Sequence, residues 1–108
     1  MKLYRIFIPK KYNNGAPIAI EKTTKILNEV EEKFGGYTID PFGRMPLIGV
    51  WNNPKDKQRY TDEVQILELF VEDTMNIKKW FTSMKELWRQ DLEQEEFLII
   101  VQDAEIIP

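Results

Sequence analysis

The chain has 108 residues, 43% hydrophobic and 31% charged, with 15 basic and 18 acidic side chains and a net charge of −3. This composition suits one folded domain over residues 1–108 with a single core and is far from the signature of a disordered chain. With no Cys and no His, thiolate nucleophiles, Ser-His-Asp triads, imidazole acid–base chemistry and thiolate or imidazole metal ligation are excluded, whereas carboxylate-bound Mg²⁺ or Ca²⁺ and acid–base work by Asp, Glu, Lys or Tyr stay open.

Residues 2–8, KLYRIFI, alternate Tyr4, Ile6 and Ile8 on one face with Leu3, Arg5 and Phe7 on the other, the period of a first strand. The apolar run here is too short for the core of a signal peptide, and no stretch approaches the ~20 apolar residues of a membrane span, so a cytoplasmic protein with no membrane association is expected. KKYNNGAP follows as a turn-rich loop, with Pro17 suited to the first turn of a helix. Ile20, Thr23, Leu27, Val30 and Phe34 recur at spacings of three and four, predicting an amphipathic helix that Gly35 and Gly36 end.

YTI (37–39) and LIGVW (47–51) both read as strand and are interrupted by Asp40-Pro41 and Phe42-Gly43; Phe42, Met45, Leu47 and Ile48 favour a bent or bulged strand over a solvated active-site loop. NNPKDKQR is a polar connection. Residues 60–71 form the longest strand candidate, with Leu67, Leu69 and Val71 on one face and Val64, Ile66, Glu68 and Phe70 on the other. Asp73 or Thr74 caps a second helix carrying Ile77, Trp80, Phe81, Met84, Leu87 and Trp88 in its stripe, and FLIIVQ (97–102) is the last strand.

The order β-α-β-β-α-β predicts an α+β, ferredoxin-like domain: a four-stranded antiparallel sheet in spatial order 4-1-3-2 with both helices on one face. The other face should then be polar, yet it carries Leu3, Phe7, Ile66 and Phe70. These four are the expected interface of a homodimer, sheet against sheet. Arg5 and Glu68 project from that same face of neighbouring strands. A structural ion pair is the first reading, and an anion site with Glu68 as orienting group or base is the second.

Arg44 is a further anion-site candidate, and Trp51, beside two asparagines at a strand end, a candidate for stacking on a ligand. Asp62/Glu63, Glu72/Asp73 and Glu95/Glu96 do not match calcium-loop spacing, and neither a metal nor another cofactor is expected. An acidic, aliphatic third strand, EVQILELFVED, lacks the basic and aromatic start of an RNA-binding sheet. RIFIPK lacks the strand-end aspartate of the small RNA-guided-defence nucleases of similar fold. No nucleic-acid partner is expected.

FGGYT, GVW, DEV before an apolar strand and QEEFLIIV after the second helix resemble the spaced signatures of a small family of uncharacterised bacterial ferredoxin-like proteins. The resemblance implies this fold and no activity, and the DPFGRMPLI stretch departs from that family's compact link. Two functions are thus carried forward. One is a non-enzymatic homodimeric module that binds a small ligand or a protein. The other is a cofactor-independent enzyme of the dimeric α+β barrel type acting on a small molecule, with a pocket expected between sheet and helices and Arg5, Glu68 or Tyr37 near it.

Overall fold

A computed structural model of the protein describes residues 1–39 and 47–108. Its elements are β1 (Lys2–Pro9), α1 (Ile20–Phe34), β2 (Thr38–Ile39), β3 (Leu47–Asn52), β4 (Arg59–Val71), α2 (Met75–Asp91) and β5 (Ile99–Asp103). Among the described residues, two helices and a five-stranded antiparallel sheet make an α+β architecture compatible with a ferredoxin-like fold.

The expected four strands in order 4-1-3-2 are corrected to five, with neighbours running β2-β4-β1-β5 and β3 also paired to β4. What reads in sequence as one interrupted strand is two separate ones on the same edge of β4. Thr38 and Ile39 lie opposite Glu68 and Leu67, and Leu47 to Asn52 lie opposite Val64 to Arg59. Only Gln65 and Ile66 of β4 separate the two ladders, whereas residues 40–46 separate them on the other side, so one continuous ladder is impossible. The bulge expected around Phe42, Gly43 and Met45 lies outside the described residues.

Alternation along β1 and β4 decides where the core sits. Tyr4, Ile6 and Ile8 share one face with Leu67, Leu69 and Val71, and these pack with Ile26 and Val30 of α1 and with Phe81 and Trp88 of α2. Both helices therefore cover one face of the sheet. Tyr4 stacks on Phe81 with ring centroids 4.0 Å apart, and Phe34 stacks on the same ring at 5.4 Å, tying β1 to both helices.

Helix α1 ends where expected, because Gly35 takes a left-handed φ of 85° and donates its N–H to Glu31. The helix begins at Ile20, after Pro17 rather than with it; Pro17 instead makes an isolated bridge to Lys11. Ile20 is exposed at that first turn and Ile26 takes its place in the core, a shift of the buried stripe. For α2 the cap is Thr74, whose hydroxyl accepts from the Ile77 N–H at 3.2 Å. Leu87, expected in the stripe, is exposed. No described helix is long and apolar enough to cross a membrane.

Candidate functional site

The helix-free face carries the site. At one end of it β4 runs past the end of β1, since β1 pairs only with Val64 to Val71 while β3 pairs with Arg59 to Val64. The β3–β4 hairpin thus projects beyond the rest of the sheet. Its turn is closed by the Asn53 N–H donating to Gln58, by the Lys57 N–H donating to Asn53, and by a left-handed Lys57 (φ 62°). On the other side the chain leaving α2 is pinned. The Gln94 N–H donates to Arg89, the Arg89 guanidinium returns a hydrogen bond to the Gln94 carbonyl at 2.9 Å, and Leu92 and Phe97 are sunk in the core. The Phe7 N–H then donates to the Leu98 carbonyl at 3.1 Å, locking residues 94–98 against β1.

Between these two walls lies a groove of about 540 Å³, within the usual range for a small-molecule site. Phe7, Pro9, Val64, Phe97 and Leu98 make it apolar; Ile48, Gly49, Val50 and Trp51 form the hairpin wall; Asn13 and Gln94 add neutral polar groups. Its charged lining residues are Asp62, Glu95 and Glu96, all acidic, with no Lys or Arg among the described residues that line it. None of the three carboxylates is in a described ion pair.

Two aromatic–carboxylate hydrogen bonds fix the hairpin wall. The Trp51 indole N–H donates to Asp62 Oδ2 at 2.6 Å, and the Tyr60 hydroxyl donates to Asp56. The two rings stack at 4.9 Å, which follows from Trp51 and Tyr60 being directly opposite in the ladder. Through that bond to Tyr60 the Asp56 carboxyl is held below its ordinary range, helped by the Gln58 N–H. The Tyr60 phenol is pushed up by its bond to Asp56, then by burial, with the charges of Asp56 and Glu95 adding to it. Tyr60 thus feels the carboxylate on the opposite wall.

Of the residues singled out from sequence, Trp51 lines the groove, while Arg5, Glu68 and Tyr37 do not. Arg5 sits directly opposite Glu68 and donates from Nε to Oε1 at 3.0 Å, with Nη1 bound to Gln102 at 2.9 Å. Both partners are about one-third exposed, and the pair is placed as the structural reading requires, beside the groove. Tyr37 packs on the edge of the core. Arg44 lies outside the described residues. Among the interface candidates Phe70 is 53% exposed and Phe7 and Ile66 are half-buried, but Leu3 is only 6% exposed within one chain. Its ladder neighbours on that face are the long side chains Phe70 and Gln102.

Asp62, Glu95 and Glu96 were legible as acidic pairs lacking metal spacing, but what unites them is a tertiary arrangement. No family model matches the chain, and no curated protein matches it. Two solved structures are similar in shape. A phage SAM lyase in complex with S-methyl-5'-thioadenosine superposes with a TM-score of 0.65 at 18% identity, over 94% of this chain and 80% of that one. A phage SAM lyase in the apo state gives 0.68 at 15% identity, over 94% and 78%. At such identities the likeness establishes the fold.

Proposed function

We propose that the protein is a cofactor-independent enzyme acting on S-adenosylmethionine or a close S-adenosyl compound bound in the groove. The observation that carries this reading is the groove itself, an apolar trough with an aromatic wall whose only charged groups among the described residues are carboxylates. S-adenosylmethionine presents the complement, a flat heteroaromatic body and a sulfonium cation. The likeness in shape to phage SAM lyases supports the same choice of substrate class.

The chemistry asks little of the side chains. When the bond from sulfur to the four-carbon chain breaks, the electron pair stays on sulfur and a neutral thioether leaves without being protonated. The step balances within the substrate: an oxygen of its own carboxylate forms the new C–O bond at the carbon that sulfur leaves, giving a lactone, and no proton has to be taken up by the protein. A chain without Cys or His can support such a step by holding the substrate in a reactive shape and excluding water.

The test is incubation of the full chain with S-adenosylmethionine and chromatography for S-methyl-5'-thioadenosine. Thioether should accumulate in proportion to protein and fall at least about tenfold in Trp51→Ala. If no thioether forms and the Trp51 indole resonance does not move on adding substrate, the reading fails.

A homodimeric module without catalytic activity is the second reading. It is favoured by Phe70 and Ile100, which are 53% and 38% exposed on the helix-free face, around the neutral Arg5–Glu68 pair. Such a face is complementary to a second copy of itself.

A further inference from the structure

We propose that Asp62 sets the charge selectivity of the groove, retaining a cationic S-adenosyl ligand and releasing the neutral thioether that cleavage leaves. The inference rests on the groove being the S-adenosyl site and adds how substrate is told from product. Three carboxylates line the groove, but Glu95 and Glu96 are exposed on the rim, where water screens them. Asp62 is half-buried on β4, so a charge beside it interacts through a less polar medium.

Its orientation is preset. The Trp51 indole N–H takes Oδ2 at 2.6 Å, a neutral donor that fixes the carboxylate without cancelling its charge, and an ionised carboxylate has lone pairs left for a ligand. Directly across the ladder from Asp62 is Gly49, which also lines the groove and has no side chain to fill the space beside the carboxylate. The hairpin therefore offers a fixed anion with an open position next to it.

This placement has a definite kinetic meaning. Cleavage discharges the sulfonium, so a carboxylate close to it stabilises the ground state more than the transition state and cannot accelerate the chemistry. Its contribution is to loading and release: the cation is held while intact, and the product loses the attraction at the moment it forms. Asp62 is a specificity residue, and its removal should raise KM without lowering kcat.

The experiment compares two ligands that do not turn over, using calorimetry on the full chain. Sinefungin carries an amine cation where the sulfonium would be, and S-adenosylhomocysteine is the uncharged thioether with the same amino-acid tail. Wild type should bind sinefungin at least about tenfold more tightly, the size expected for one partly buried charge contact, and high salt should shrink that ratio.

Asp62→Asn, which keeps an acceptor for the Trp51 N–H, should bring the ratio to near unity while leaving the affinity for S-adenosylhomocysteine unchanged, which also shows that the variant is folded. Glu105→Gln, exposed and away from the groove, should leave the ratio as in wild type. Equal binding of the two ligands by wild type, or a ratio that survives in Asp62→Asn, overturns the charge inference while the binding site stands. If neither ligand binds, the S-adenosyl reading falls and this inference with it.

Discussion

Carboxylates on this molecule hold their charge in two settings, one satisfied and one waiting. Glu86 is the satisfied kind. Arg89 donates to both its oxygens, at 2.6 and 3.0 Å, and Gln90 adds a third bond at 3.0 Å. These bonds, Arg89's first, lower its pKa from 4.5 to about 2. A depressed folded-state pKa stabilises the fold above the unfolded value and ceases to do so as pH falls through the folded one. The thermal stability gap between wild type and Glu86→Gln should therefore be present at neutral pH and close between 4.5 and about 2; a gap that ignores pH would show that the Arg89 contact contributes nothing through charge. Asp62 is the waiting kind. Trp51 was legible from its place at a strand end beside two asparagines. Its partner was not, because only the hairpin register sets Asp62 opposite Gly49 and within reach of the indole.

Element boundaries were legible wherever one residue's backbone chemistry decides them. Gly35 ends α1 by taking a conformation that a Cβ disfavours, so Gly35→Ala should cost about 1 kcal/mol although the space around it is open. Thr74→Ala should cost about 1 kcal/mol through the lost cap of α2. Urea unfolding measures both, and Thr74→Ser should recover most of the second loss; an unchanged midpoint in either alanine variant would contradict the assigned end. Spacing alone was less informative inside α1, where a stripe drawn through Ile20 is displaced by the actual start of the helix, leaving Ile20 in solvent and Ile26 in the core. The second strand was legible as interrupted, but not as two strands, since the length of the interruption matters only against the two β4 residues it must span.

At the scale of the whole molecule, apolar side chains on both faces of the sheet were visible from alternation in β1 and β4. What alternation cannot report is how far one chain shields its own second face. Leu3 is buried by its own chain, whereas Phe70, on the ladder beside it, is 53% exposed. The proposed dimer therefore rests on Phe70, Ile66, Phe7 and Ile100. Sedimentation should show a two-chain species for wild type and a single chain for Phe70→Glu, with thermal stability falling only at concentrations where wild type is paired. A wild-type protein that sediments as one chain at all concentrations would remove the dimer.

The overhang of β4 beyond β1 has a mechanical consequence. Residues 64–71 are all paired to β1, and Val64, Leu67 and Glu68 among them also to a strand on the other side, while among the described residues the ladder from Arg59 to Asp62 is paired to β3 alone. The wall that carries Trp51 and Asp62 is thus a cantilever rooted in a rigid sheet, and the opposing wall at 94–98 is anchored in the core. Any breathing of the cleft falls to the hairpin, so a guest that bridges the two walls would act as a clasp, stiffening the arm without disturbing the packing beneath the helices.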